Sequence, residues 1–239
     1  MSFDPYEFDR GYGSSARGLS EGEYTARTFL WMVLGLMVTF GVAVLCWLTN
    51  VTIYALILLP AVQVIVLIAT LILSFLMVRR IERMSVAAAR TMFLVFSALF
   101  GFTMSIYLLI YDLASLVFAF LATALYFGVL AVYGRLTGRD LSGVRPILFS
   151  GLLFLVIFGV ISLFIPALSV FDSIVCLIGI AVFLGYTAYD TQRIRAFYHY
   201  YAGYPDMLEK ASIFAALQLY LDFVNLFLYL LRFLGRRRD

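Results

Sequence analysis

From Thr28 to Val78 the chain carries no charged residue. A run of that length is enough for two membrane crossings at roughly 20 residues each, joined by a short turn. The rest of the sequence has the same character. Apolar residues make up 64% and charged residues 13%, which excludes both an ordinary soluble domain and a disordered chain. The length suits one helical bundle with no separate soluble domain. The fold class read from these features is an all-α integral membrane protein.

Hydropathy and breakers predict seven spans. The first runs from Thr28 to Leu48 and turns at Thr49-Asn50. The second runs from Ile53 to Val78, where Pro60 marks a kink or a late start. The third, Thr91 to Tyr111, carries Ser97, Gly101 and Ser105 at four-residue intervals. That small-residue stripe lets a neighbouring helix approach closely and is read as packing. Asp112 marks a tight turn before the fourth span, Leu113 to Tyr133. The fifth is Ile147 to Ile165, closed by Pro166, and the sixth runs from Asp172 to Ile194. The last is Leu208 to Gly235, and Arg195 to Pro205, with His199, reads as an interfacial loop. His199 is assigned interfacial contact. Residues 1–27 are expected to form a flexible tail that is not removed as a signal peptide, residues 28–235 the membrane domain, and residues 236–239 a basic tail.

Basic residues follow the second, fourth and sixth spans and are missing from the loops after the first, third and fifth. The positive-inside rule then places the amino terminus in the cytoplasm. The tail Arg236-Arg237-Arg238 disagrees, since seven full crossings put it outside. The net charge of +3 therefore records topology, and no nucleic-acid partner is expected. Cys46 and Cys176 lie in apolar segments without metal or redox spacing and are read as core side chains.

The last span carries Asp222 near its middle. An ionised carboxylate at that depth costs at least ~2.5 kcal/mol on insertion scales, so a protein partner is expected. Gln218, Asp222, Asn225 and Tyr229 step by four, three and four and line one helical face, read here as pore-lining. A second carboxylate, Asp190, ends the sixth span. A carboxylate at a helix end is ordinarily a solvated charge, a recourse that Asp222 lacks.

Three stretches carry a resemblance. Arg80-Ile-Glu-Arg-Met-Ser85, Ala188-Tyr-Asp-Thr-Gln-Arg-Ile194 and Leu219-Tyr-Leu-Asp-Phe-Val-Asn-Leu-Phe227 resemble the Bax inhibitor-1 family, also called the transmembrane Bax inhibitor motif family, in its bacterial type. The resemblance extends from about Thr28 onward. It implies a seven-helix bundle with the last helix central, and a pH-regulated calcium leak. It also implies that Asp190 and Asp222 form a hydrogen-bonded pair near the cytoplasmic mouth, with Arg79 or Arg80 latching onto Asp190. No cofactor is implied, calcium being the permeant ion, held transiently by Asp190 and Asp222 with help from Asn225. Two carboxylates within ~4–6 Å cannot both ionise cheaply, so such a pair shares a proton.

Two other readings are set beside this one. A membrane interaction protein would modulate a membrane protease or a stress or cell-death pathway, its aspartates merely holding the bundle together. An intramembrane aspartyl protease would also use paired aspartates. Tyr220-Leu-Asp222 does not match the Gly-x-Gly-Asp motif of that class, however, and no Pro-Ala-Leu stretch follows. No catalytic residue is assigned.

Overall fold

The computed structural model describes residues 19–81 and 83–236. It is helical throughout, in the order α1 Glu21–Leu48, α2 Val51–Leu58, α3 Val62–Arg80, α4 Val86–Met104, α5 Tyr107–Ile110, α6 Leu113–Leu136, α7 Arg145–Ser162, α8 Asp172–Tyr201 and α9 Pro205–Leu234. Short 3-10 turns precede α7 and α8. Among the described residues seven helical spans are long and apolar enough to cross a membrane, as expected.

Local chemistry explains where the helices begin and break. Ser20 caps α1 by accepting from the Glu23 N–H at 3.2 Å, while the Glu23 carboxylate accepts from the Ser20 N–H at 2.8 Å. Glu21 to Arg27, expected in the flexible tail, are therefore the first turns of α1. The Ser-x-x-Glu signature stood in the sequence, ahead of the first apolar residue. Residues 1–18 and 237–239 of the expected tails lie outside the described residues. Pro60 has no N–H to donate, and it separates α2 from α3. Asn50, at φ 55°, makes the turn before α2, a conformation that Asn tolerates.

A larger correction concerns the expected loop from Arg195 to Pro205. Helix α8 continues through Tyr201, so Arg195 to Tyr201 are helical and only Ala202 to Tyr204 connect α8 to α9. Loss of hydropathy marks where a helix leaves lipid. The helix itself ends only at a breaker, here Gly203 and Pro205.

Helix α9 is the axis of the bundle. In its apolar stretch 67% of residues are buried, against 11% for α3 and α7, which are peripheral. It packs against α8, α1, α6 and α4. Tyr220, fully buried, sits edge-on to Phe93, Phe96 and Phe100 of α4. The small-residue stripe of α4 meets α1 and α2 as expected. A Cβ on Gly101 would lie 2.6 Å from the Thr39 carbonyl oxygen, and Thr39 donates to the Ser97 carbonyl at 2.9 Å. Ser105 donates to the Phe102 carbonyl, so Thr52 is the donor in its 2.6 Å bond to Ser105.

The chain's far end is tied down. The Arg236 N–H donates to the Ser115 hydroxyl at 2.9 Å, and its carbonyl accepts from the Asp112 N–H at 3.4 Å. Asp112 and Ser115 stand at the start of α6, and Arg135 and Arg139 at its opposite end. Helix α9 thus runs the length of the bundle and finishes at the end away from the arginine loops.

Candidate functional site

Asp190 and Asp222 come together between α8 and α9, the most extensive helix pair of the bundle. Their exposures are 7% and 5%, and the two carboxyl groups lie close enough to act on each other directly. Two buried carboxylates this near each other cannot both ionise cheaply, so the pairing favours one proton held between them. The second oxygen of Asp222, Oδ2, is buried and has no partner among the described residues. Asp190 does not end its helix: α8 continues from it to Tyr201, so burial replaces the solvated setting expected of a terminal charge.

The position of α8 here is set by a close approach. A Cβ on Gly134 of α6 would stand 2.2 Å from the carbonyl oxygen of Ala188, so glycine lets the α8 backbone lie directly on α6. Asp190 follows Ala188 by two residues. Around the pair, the charged groups acting on Asp190 besides Asp222 are Arg193, on its own helix, and Arg145, at the start of α7. The Tyr186 hydroxyl lies in the field of both aspartates. Arg193 also covers the Phe197 ring at 4.8 Å. Sequence reasoning missed both arginines. Arg193 lies three residues beyond Asp190 and therefore on the same helical face, whereas nothing local marks Arg145.

Arg79 and Arg80 stand elsewhere. Both are exposed at the end of α3, which packs mainly on α4, and the Arg79 guanidinium lies 4.4 Å over the Phe75 ring. Among the described residues neither forms an ion pair with Asp190. The polar face of α9 divides between two neighbourhoods. Asp222 meets α8, and Tyr229 stacks on Phe183 of α8 at 5.9 Å. Asn225 donates to its own helix at the Leu221 carbonyl, 2.8 Å. Asn225 and Tyr229 line a cavity of about 760 Å³ with Tyr107, Tyr111 and Arg232, while Gln218 is half-buried. Neither Asp190 nor Asp222 lines that cavity. Among the described residues no group of three or more His, Cys, Asp or Glu side chains assembles.

Charged contacts also gather where α9 begins. Glu209 accepts from Arg27 of α1 at 3.0 Å and from Arg90 of α4. Lys210, buried, donates to the Met84 carbonyl at 3.2 Å. Glu21 pairs with Arg195 at 2.9 Å, and His199 lies 3.5 Å from it. These contacts join α1, α4, α8 and α9 at one end of the bundle. They were invisible in sequence because each joins segments far apart in the chain.

The family model for the inhibitor of apoptosis-promoting Bax1 matches residues 22–239. The chain belongs to the Bax inhibitor-1 family. Among similar proteins, an uncharacterized protein of Rickettsia prowazekii is 38% identical over 216 residues, covering 90% of each chain. The Escherichia coli inner membrane protein YbhL is 36% identical over 219 residues, covering 90% of this chain and 92% of its own. A Borreliella burgdorferi protein is 34% identical over 227 residues, covering 92% and 95%. This Bax inhibitor-1 family member is thus a membrane protein with seven helices, among the described residues, able to span the bilayer.

Proposed function

We propose that this protein is a pH-regulated calcium leak channel of the bacterial inner membrane, its amino terminus cytoplasmic, gated by the carboxyl pair of Asp190 and Asp222. The observation that carries the reading is the juxtaposition of two buried carboxyl groups on the two helices that pack most extensively. A bundle held together by polar contacts alone has no need of two acids sharing a proton. The unpartnered Oδ2 of Asp222 supplies an acceptor for a second proton or, when the pair is deprotonated, an oxygen for a passing calcium ion. Weak binding by two carboxylates suits a permeating ion, which must leave again.

Gating follows from charge. With one proton on the pair, Asp190 attracts arginines and the helices around it close. A second proton removes that attraction and the mouth loosens. Arg193 and Arg145 supply the standing positive field. The latch by Arg79 or Arg80 belongs to a second conformation, in which the peripheral helix α3 closes on the bundle. The test is calcium entry into calcium-free liposomes carrying the purified protein, read with an internal indicator between pH 8 and pH 5. Flux that rises on acidification and loses its pH response in Asp190→Asn supports the channel. No flux at any pH sinks it and leaves the membrane interaction protein, a modulator of a membrane protease or stress pathway, as the reading to pursue.

A further inference from the structure

We propose that the groove between α1 and α6 is a binding site for an anionic phospholipid, with its acyl chains lying on α9 and its phosphate paired with Arg135. The groove has a volume of about 950 Å³. One wall is α1 from Phe29 to Val44, the other is α6 from Leu113 to Arg135, and the floor is Phe223, Val224 and Phe227 of α9. At 1.5 Å per residue the α6 wall is roughly 30 Å long, the thickness of the hydrocarbon core. The groove is open along the side of the bundle and reaches the central helix at its floor.

Its chemistry selects hydrocarbon. The lining is apolar almost throughout, and the Thr39 hydroxyl is already committed, donating to the Ser97 carbonyl and accepting from Tyr220. Gly128 lines the groove, and a Cβ added there would meet nothing within 4 Å. Acyl chains, thin and flexible, fit a narrow space that reaches the buried central helix.

Charge decides the headgroup. Arg135 closes one end of the groove, at the last turn of α6 where the helix leaves the membrane. Its side chain is exposed and, among the described residues, forms no ion pair. Guanidinium geometry matches phosphate. Near a bilayer surface one arginine favours an anionic lipid by about fivefold.

The test is native mass spectrometry of the purified full-length protein, with phosphatidylglycerol or phosphatidylcholine added to the detergent solution. The expected result is retained lipid with about a fivefold preference for phosphatidylglycerol. Arg135→Gln, an exposed substitution, should abolish the preference but keep the apolar binding, and Gly128→Phe should displace both lipids. Equal retention of the two lipids by the unaltered protein, or a preference unchanged in Arg135→Gln, overturns the proposal. So does a dimer of the unaltered protein that Gly128→Phe dissociates, because a second copy would then cover the groove.

Discussion

Tyr220 of α9 donates its phenolic proton to Thr39 of α1 at 2.7 Å, because the single hydroxyl proton of Thr39 is spent on the Ser97 carbonyl of α4. Both side chains are fully buried. One chain of two hydrogen bonds thus ties the central helix to two of its neighbours, two residues before Asp222.

Tyr220→Phe keeps the ring and its edge-on contacts with Phe93, Phe96 and Phe100 but leaves the Thr39 oxygen without its donor. The expected cost is about 1 kcal/mol of stability. Thermal unfolding in detergent measures it, and Thr39→Val should cost more by leaving the buried Tyr220 hydroxyl without an acceptor. An unchanged unfolding temperature in Tyr220→Phe would show that the bond contributes nothing net.

For the carboxyl pair, the two asparagine variants should part company. Asp190→Asn imitates permanent protonation where the arginines act, so its leak should be high and nearly flat between pH 5 and 8. In Asp222→Asn the remaining Asp190 has no like charge beside it, so its opening transition should move to lower pH. Liposome flux against pH distinguishes these outcomes. A shift of Asp222→Asn to higher pH would contradict the shared proton and favour Asp222 as a ligand for the ion.

The latch separates by mutation. If α3 closes on Asp190, Arg79→Ala or Arg80→Ala should raise leak at neutral pH severalfold, although each side chain is exposed in the conformation described here. If neither single variant nor the double variant leaks more, while Arg145→Gln or Arg193→Gln does, the standing arginines alone perform the closure.

Gly134→Ala tests the positioning of Asp190. The new methyl group would stand 2.2 Å from the Ala188 carbonyl, backbone that cannot swing aside, so α6 and α8 must separate. Overpacking of this kind costs roughly 1–3 kcal/mol. The expected signature is a lowered unfolding temperature together with an altered pH dependence of flux. Loss of stability with an unchanged pH profile would make the glycine a packing residue only.

Asp112 provides a contrast outside the spans. The Ser115 hydroxyl, then the Ser115 N–H, hold its carboxyl below the ordinary carboxylate range. A lowered value contributes stability that is full above about pH 4 and fades as pH falls through the lowered value. Asp112→Asn should therefore lower the unfolding temperature at pH 7, and the gap to the unaltered protein should narrow only in strong acid. Its calcium flux between pH 5 and 8 should keep the unaltered pH response; a changed response would tie the turn before α6 to gating.

The features readable from sequence share one physical basis. Seven spans, the break at Pro60, the close packing at Gly101 and the burial of Asp222 follow from sums over neighbouring residues, since transfer to lipid, loss of an N–H and absence of a side chain are local quantities. The errors have the same root. Reading hydropathy as helicity ended α8 at Ile194 rather than Tyr201 and began α1 at Thr28 rather than Glu21, although the capping pair Ser20 and Glu23 was present.

By itself, then, the sequence determined that this chain is a membrane bundle of seven spans whose last helix carries a carboxylate in need of a partner. The resemblance already paired it with Asp190; tertiary structure alone decided that the arginines acting on Asp190 are Arg193 and Arg145 rather than Arg79 or Arg80, and that α1 and α6 leave a groove ending at Arg135. Those outcomes depend on how each helix is rotated about its axis and which neighbours it meets. Rotation is set by packing between segments far apart in the chain, such as Gly134 on Ala188 and Gly101 on Thr39, and no window of neighbouring residues contains that information.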